Sequence, residues 1–240
     1  MRQRFTTRFF NLLCIVAIAA SVVTLGGCAV GNLVGGMQQN FEYQKKIQVL
    51  PKYEGLEHKT VAVVVNADLA TLYEFPGLTM TIATGISARI NEHVDGTSVV
   101  DPRLVQKWQY QTPQWNALPY GDLVEQLNVD RIVFVDLYEW RLNPPGNQWL
   151  WDGLAAANVG IIERDGIMPD LFSDEFSVIS NFPKESNITR DGAQENQIRT
   201  GLLAEFIKQT AWLFYEHLEP KYPDKYRPEL DRPARSSRSG

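Results

Sequence analysis

The sequence predicts an α/β fold: a single mixed sheet with helices packed on it, in the order β-α-β-α-β-β-β-α. Residues 60–66 form a β-branched run without polar alternation, which is typical of a strand covered on both faces. The next long segment carries one apolar stripe at fourfold spacing, which predicts an amphipathic helix. The stripe consists of Leu78, Ile82, Ile86, Ile90 and Val94. A second strand-like run follows at 131–140, and parallel strands joined by helical crossovers fit this order.

Two shorter helices complete the first half of the predicted sheet. A short strand at 97–100 is followed by Asp101 and Pro102, an N-cap residue and a proline suited to the first helical position. This signal predicts a helix that runs to about Trp108. A further helix is predicted at 119–127.

The second half of the predicted sheet is an antiparallel meander. The strand at 131–140 begins as a continuous apolar run and then alternates, as expected where one face of the sheet emerges from its cover. Two more strands fit 153–162 and 171–182, and the Asp-Gly pair within 163–166 predicts a tight hairpin turn between them. A long amphipathic helix at 192–218 closes the domain.

The chain divides into four predicted segments. Residues 1–27 are a signal peptide, 28–58 a flexible lipidated tether, 59–218 the α/β domain and 219–240 a disordered tail that contains several prolines. An edge strand at 41–49 is an open alternative within the tether. The 240 residues carry a net charge of −5 and are 44% hydrophobic, which excludes a fibrous or disordered chain and argues against a nucleic-acid partner.

The first segment has the pattern of an export signal. Arg2, Arg4 and Arg8 precede a short apolar run that ends in Leu25-Gly26-Gly27-Cys28. This ending resembles the lipobox of bacterial lipoproteins, in which the signal is cleaved before a cysteine that then carries the lipid. The resemblance implies that Cys28 is acylated, and an ordinary secretory signal is the alternative. Cys14, the other cysteine, leaves with the signal in either case.

An acylated Cys28 sets the expected location of the protein. Two acyl chains contribute about 0.8 kcal/mol per buried methylene, which is enough for stable anchoring. The residue after the cysteine is Ala29 rather than aspartate, and by resemblance to enterobacterial lipoproteins this implies the outer membrane. We therefore expect a lipid-anchored protein of the cell envelope that faces the periplasm.

A family resemblance extends into the domain itself. It is carried by the strand at 60–65, by Val99-Val100-Asp101-Pro102, and by Gly121 through Val133. Together these stretches resemble the small α/β domain shared by the TolB amino-terminal domain and CsgG-like envelope lipoproteins, including penicillin-binding-protein activators of the LpoB kind. The leucine-glycine-alanine-aspartate stretch common in those families reads Leu127-Asn128-Val129-Asp130 here. Neither a β-propeller like that of TolB nor a long pore-forming hairpin is evident. The resemblance implies partner binding in the envelope without catalysis.

No pattern in the sequence predicts catalysis, a metal site or a cofactor. His58, His93 and His217 are isolated, whereas zinc ligands occur at short spacings. Acidic pairs such as Asp136 and Glu139 lie within one strand, and spacing alone does not place two carboxylates across a cleft. We therefore expect a protein that is not an enzyme and that binds neither a cofactor nor a metal ion.

Aromatic residues around the third and fourth strands form the predicted partner-binding site. Trp149 and Trp151 lie in a turn that contains prolines, and Trp140 ends the strand before it. Large aromatic side chains in loops serve as interface anchors because they bury much area at a low cost in conformational entropy. The alternative is that they cap the open end of a small core. A second aromatic cluster comprises Trp108, Tyr110, Trp115 and Tyr120.

These expectations define three functional hypotheses. The first is a lipid-anchored accessory or assembly factor that binds another envelope protein, contacts the membrane through the lipid on Cys28, and binds no nucleic acid. The second is a homo-oligomer, a secretion-channel subunit of the CsgG kind. The third and least favoured is a carboxylate-dependent cell-wall hydrolase, which needs acids from different elements to converge in one cleft.

Overall fold

The computed structural model describes residues 42–185 and 187–226, and these fall into two compact units. The larger unit runs from Leu50 to His217, and the smaller unit contains the described residues on either side of it. The predicted signal peptide, Cys28 with the first part of the tether, and residues 227–240 of the predicted tail lie outside the described residues.

The strands and helices are numbered along the chain. The strands are β1 (Lys46–Val49), β2 (Thr60–Ala67), β3 (Ser98–Val99), β4 (Arg131–Arg141), β5 (Leu150–Trp151), β6 (Gly153–Glu163), β7 (Asp174–Phe182), β8 (Ile188–Thr189) and β9 (His217–Pro220). The α-helices are α1 (Leu69–Glu74), α2 (Leu78–His93), α3 (Pro102–Gln111), α4 (Tyr120–Leu127) and α5 (Glu195–Ala211). Short 3₁₀ helices lie at Trp115–Ala117 and Pro223–Lys225.

A five-stranded mixed sheet in the order β3-β2-β4-β6-β7 forms the centre of the larger unit. β3 and β4 both run parallel to β2, and β6 and β7 follow as an antiparallel meander. β5 and β8 form a separate two-stranded ladder. The predicted fold class, a mixed sheet with helices packed on it, is confirmed.

Helices cover both faces of this sheet because the crossover from β2 to β3 and the crossover from β3 to β4 run in opposite directions along it. α2 and α5 cover the inner face, where Ile82 and Phe206 are fully buried. α3 and α4 cover the outer face, where Leu123 belongs to the same buried cluster as Val64 and Ile132. Full burial of such a side chain contributes about 1.5–3 kcal/mol. The core therefore lies in two layers, one on each side of β2 and β4.

The helical cover of the outer face is incomplete. The apolar cluster under α3 and α4 reaches β2, β4 and, in β6, Ile162. Farther along the sheet, Asn158 of β6 and Ser177 and Ile179 of β7 are exposed on the same face. The outer face thus has an apolar, covered half and an open half, as the alternating end of the strand at 131–140 predicts.

The helix predicted at 192–218 is too long. α5 ends at Ala211, and the chain then turns and passes into β9. The Leu213 carbonyl in this turn accepts hydrogen bonds from the backbone N–H groups of Lys52 and Tyr53, at 2.8 and 3.0 Å. The prediction is wrong because buried Leu213 continues the apolar pattern of the helix although it packs from a turn.

The connection between β6 and β7 is also longer than the tight turn predicted at 163–166. A turn does form, since the Gly166 N–H bonds the carbonyl of the last β6 residue at 3.3 Å, but β7 begins only at Asp174. Phe172 in this loop packs on the outer face, where a Cβ atom on Gly160 would meet its ring at 2.5 Å. This tertiary contact holds the loop, and turn propensity, which depends on local sequence alone, does not predict it.

The larger unit begins before the predicted domain limit at 59. Leu56 is fully buried and Tyr53 is nearly so, and both belong to the inner core. The Tyr53 hydroxyl donates a 2.5 Å hydrogen bond to Glu163 and accepts one of 3.2 Å from the Arg131 guanidinium. The last part of the predicted tether is therefore part of the folded domain.

The smaller unit contains the two-stranded sheet of β1 and β9. The Lys221 ammonium lies 2.7 Å from Glu42, and this hydrogen bond, with a second one from Lys45, lowers the pKa of the Glu42 carboxyl to about 2. β1 matches the edge strand left open within the tether, and β9 contains the first residues of the predicted tail. Within the two described ranges of the chain, no helix combines the length and the apolar character that a bilayer span requires.

Candidate binding surface at the carboxyl end of the sheet

The structure separates the three tryptophans that the sequence analysis placed in one partner-binding site. Trp149 is 79% exposed, whereas Trp151 and Trp140 are 4% and 6% exposed. The lipidation site, Cys28, lies outside the described residues. Of the three aromatic candidates, only Trp149 exposes its ring to solvent, and the rings of the other two lie in the core.

The backbone N–H and carbonyl groups of Trp149 are both hydrogen-bonded. Its N–H donates to the Asn147 side-chain oxygen at 3.0 Å, and its carbonyl accepts from the Arg190 N–H at 3.1 Å. The loop is closed at its base, where the Arg141 guanidinium donates to the carbonyls of Asn143 and Asp152, both at 2.9 Å. The backbone that carries the exposed indole is therefore held in place.

The two buried tryptophans anchor the surroundings of this loop. The Trp151 indole N–H donates to the Ala193 carbonyl at 2.9 Å, and the Arg190 guanidinium lies over its ring at 5.1 Å. The Trp140 ring packs edge-on against Phe75, with 6.2 Å between centroids. Phe75 directly follows α1, so Trp140 fixes the end of that helix.

Helix α1 is the feature that the sequence analysis missed. Its N-cap is Asp68, whose carboxylate accepts a 2.6 Å hydrogen bond from the Thr71 N–H. This bond lowers the pKa of Asp68 below its usual value. None of the helix residues is buried, and Leu69 and Tyr73 are 85% and 91% exposed. Asp68 is a typical N-cap residue and could have indicated the start of this helix. A helix of about one and a half turns is too short to show the apolar periodicity by which helices are predicted.

Two clefts flank α1 at the carboxyl end of β4. The first, of about 680 Å³, is lined by Glu74, Phe75, Trp140, Trp149, Arg190 and Arg199, among others. The second, of about 610 Å³, is lined among others by Asn66, Leu69, Leu72, Trp115, Asp136 and Tyr138. Residues of α1 and β4 line both clefts, so they belong to one region of the surface. We call Leu69, Tyr73 and Trp149 the α1–Trp149 surface.

The first cleft combines tryptophan and arginine side chains. Arg141 is neutralised by Glu139 and Asp152, each 3.0 Å away. In the described part of the chain, neither Arg199 nor Arg190 has an ion pair, and the Arg190 guanidinium lies over the ring of Trp151. Tryptophan and arginine are the residues most enriched among those that dominate binding energy at interfaces.

The second cleft lies between the carboxyl ends of β2 and β4. These neighbouring parallel strands are the ones whose crossovers run in opposite directions, a position at which open α/β sheets bind ligands. Asn66 and Asp136 are cross-strand partners there, and the Asn66 amide donates a 2.8 Å hydrogen bond to Asp136. Glu139, the other acid of that sequence pair, instead bonds Arg141. Each of the two carboxylates therefore has its own hydrogen-bond partner.

Comparisons with known proteins give fold neighbours of low similarity. No protein-family model matches the chain, and no curated protein matches its sequence. A PelC dodecamer from Paraburkholderia phytofirmans is 9% identical, with a TM-score of 0.38 over 71% of this chain and 98% of that one. The lipoprotein GNA1162 from Neisseria meningitidis is 12% identical, with a TM-score of 0.40 over 60% of this chain and 93% of that one. The hypothetical protein CT253 from Chlamydia trachomatis is 14% identical, with a TM-score of 0.37 over 64% and 96%. At these values, the chain takes no function from its neighbours.

Proposed function

We propose that this chain is a lipid-anchored accessory protein of the bacterial envelope that acts without catalysis, by binding another envelope protein through the α1–Trp149 surface. One observation carries this proposal: α1 buries none of its residues, leaves Leu69 and Tyr73 almost fully exposed, and ends at a cleft that the exposed Trp149 also lines. Exposed apolar groups that cluster on a monomer are typical of interaction sites.

The energetics of this surface favour a protein partner. Rigid aromatic side chains lose little conformational entropy when they become buried, and a backbone that is already hydrogen-bonded need not become ordered on binding. Leu69 and Tyr73 project from a helix whose N-cap is formed and whose end is fixed by the contact between Phe75 and Trp140. The surface is thus preorganised, and the free energy of burial is available for affinity.

The lipid supplies the location in this proposal. A diacylated Cys28 holds the domain at the membrane, and Ala29 directs it to the outer membrane with the domain in the periplasm. The net charge of −5 gives no attraction to anionic headgroups. Anchoring therefore rests on acyl burial, and recognition rests on the folded domain.

Affinity isolation from detergent-solubilised membranes tests the proposal. The full chain is compared with a Leu69→Ser/Tyr73→Ser double variant and with Met168→Ser, a matched control at a residue that is 62% exposed in the loop before β7. We expect a co-purifying envelope protein to be retained by the control and depleted at least about tenfold in the double variant, since a loss of about 1.4 kcal/mol has this effect. Equal recovery from all three chains contradicts the proposal.

Membrane fractionation tests the proposed lipid anchor separately. Cys28→Ala is expected to release the protein from the membrane fraction while its domain still folds. If the membrane fraction retains this variant as well as it retains the original chain, the anchoring part of the proposal fails, whatever the isolation experiment shows.

A second candidate function is self-association, which one observation favours. β7 is a nine-residue edge strand, and only β6 pairs with it among the described strands. An open edge is a template for strand addition by another copy. Chemical crosslinking in whole cells separates the two candidates, because a ladder of self-products fits only the oligomer.

A further inference from the structure

A polar row crosses the open half of the outer face. Asn66 of β2, Asp136 of β4, Asn158 of β6 and Ser177 of β7 are consecutive cross-strand partners. Direct partners on neighbouring strands point to the same side of a sheet. With strands about 4.8 Å apart, the row extends over about 14 Å. It begins in the second cleft, which Asn66 and Asp136 line.

The row interrupts an apolar pattern. On the same face, one step earlier along each strand, β2 has the buried Val64 and β4 has Phe134, both under α3 and α4. Two residues further along these strands, Asn66 and Asp136 are partly exposed. Their partners in β6 and β7, Asn158 and Ser177, are exposed. The row therefore lies where the covered, apolar half of this face ends and its open half begins.

Several donors and acceptors of the polar row are available for a ligand. The Asn66 amide nitrogen donates to one Asp136 oxygen. In the described part of the chain, the second Asp136 oxygen, the Asn66 oxygen and the side chains of Asn158 and Ser177 have no hydrogen-bond partner. Amides and hydroxyls both donate and accept, which suits a ligand whose own groups do both.

Aromatic rings stand at the cleft end of the row. Trp115, Tyr110 and Tyr138 line the second cleft. Tyr138 lies where the pairing of β4 with β6 shifts register between Leu137 and Glu139, so it is the unpaired residue of a bulge. Bulges re-aim side chains beside functional sites. The ring of Tyr138 thereby stands next to the polar row.

The charge of the cleft excludes one large class of ligand. Its only charged residues are Asp68 and Asp136, and no lysine, arginine or histidine lines it. A phosphate, sulfate or carboxylate would have no cation to pair with and would face a carboxylate instead. Among neutral ligands, hydroxyl and amide groups match the donors and acceptors of the polar row, and apolar faces match the aromatic rings.

We propose that the polar row and the second cleft bind an uncharged glycan strand. Sugar rings present C–H faces to Tyr138 and Trp115 and hydroxyl or acetamido groups to Asn66, Asp136, Asn158 and Ser177. Leu69 of the α1–Trp149 surface also lines this cleft, whereas Tyr73 and Trp149 do not. Variants at Tyr73 and Trp149 therefore test the proposed protein partner independently of the glycan.

Titration of the full chain in detergent with two neutral probes tests the inference. The probes are the β-1,4-linked pentamer of N-acetylglucosamine and the corresponding glucose pentamer, followed by calorimetry and by the fluorescence of tryptophan. We expect at least one probe to bind, and we expect Asn158→Ala and Tyr138→Ser each to weaken it about tenfold. Tyr73→Ser, outside the site, is expected to bind as the original chain does.

Asn158→Ala keeps the test valid if Tyr138→Ser fails to fold, because Asn158 is exposed and has no side-chain bond to lose within the described ranges. The inference is overturned if neither neutral probe binds, if Asn158→Ala binds as tightly as the original chain, or if only an anionic oligogalacturonate binds. A Tyr73→Ser chain that loses its protein partner but still binds the probe separates this result from the proposed function.

Discussion

Trp149 and Trp151 lie two residues apart in one loop, yet one indole is in solvent and the other is in the core. The Trp151 N–H donates to the Ala193 carbonyl at 2.9 Å, while the Trp149 ring is 79% exposed. Both side chains are large, but only that of Trp151 belongs to the buried core. Their separation divides the aromatic loop into a structural part and a part available for binding.

The two tryptophans are therefore expected to respond differently to alanine. Trp151→Ala leaves a cavity and an unpaired Ala193 carbonyl, and we expect the free energy of unfolding to fall by about 3–5 kcal/mol. Trp149→Ala removes an exposed ring, and we expect a change within about 0.5 kcal/mol. Urea unfolding followed by circular dichroism measures both. Equal losses would mean that Trp149 is part of the core in solution.

Gly153, the first residue of β6, is expected to tolerate no side chain. A Cβ atom there would lie 2.5 Å from the carbonyl oxygen of Phe182, its backbone partner in β7. Because a backbone atom cannot rotate away, we expect Gly153→Ala to lower the free energy of unfolding by about 1–3 kcal/mol. Gly192→Ala is the control, since its Cβ would meet only ordinary contacts at 3.4 Å or more. A neutral Gly153→Ala would contradict the β6–β7 register.

Acid is expected to weaken the fold through Asp165. The Arg131 guanidinium donates to this carboxylate and lowers the pKa of Asp165 below its ordinary value, and Lys59 adds to the effect from 3.6 Å. The unfolded chain therefore binds the proton more readily. This contribution is complete above the ordinary pKa of about 3.9 and is lost as the pH falls through the lower folded value.

Asp165→Asn tests this dependence. Because the side chain is 61% exposed, its contribution at neutral pH is expected to be no more than about 1 kcal/mol. The variant should lose less stability than the original chain between about pH 5 and pH 2, the range in which such carboxylates take up protons. Asp191→Asn, at an exposed residue without an ion pair in the described ranges, is the control. Parallel pH curves for all three chains would be evidence against the Arg131 contact.

The N-cap of α1 is expected to control the order of the α1–Trp149 surface. Asp68→Ala removes the hydrogen bond to the Thr71 N–H and costs about 1 kcal/mol of local helix stability. Hydrogen exchange at Leu72 and Phe75, whose N–H groups bond back into the helix, should accelerate about fivefold. Exchange in β4 should stay unchanged. Unchanged rates at Leu72 and Phe75 would show that the cap does not hold this helix.

Strands and crossover helices could be predicted because their buried positions appear in the local sequence as apolar runs or as an apolar stripe with helical spacing. The β-branched run of β2 and the fourfold stripe of α2 gave their positions within a few residues. The end of α5 could not be predicted in this way. Leu213 is apolar because the core requires it, and it is not helical because Lys52 and Tyr53 bond its carbonyl from a distant part of the chain.

The candidate sites were predictable only in part. The aromatic loop was visible in composition, but the burial of Trp151 depends on Ala193 and Arg190, which follow β8. The polar row was invisible because Asn66 and Asp136 become neighbours only through the pairing of β2 with β4. Single polar residues in separate strands carry no signal of their register.

Photo-crosslinking in living cells tests most directly whether the α1–Trp149 surface binds another envelope protein. A photoreactive amino acid is placed at Tyr73 of the full chain and, as control, at Met168. We expect a product at Tyr73 that contains another envelope protein, that is absent at Met168, and that is lost when Trp149 is changed to alanine. The same products from both positions, or products at Tyr73 that contain only copies of this chain, would contradict it.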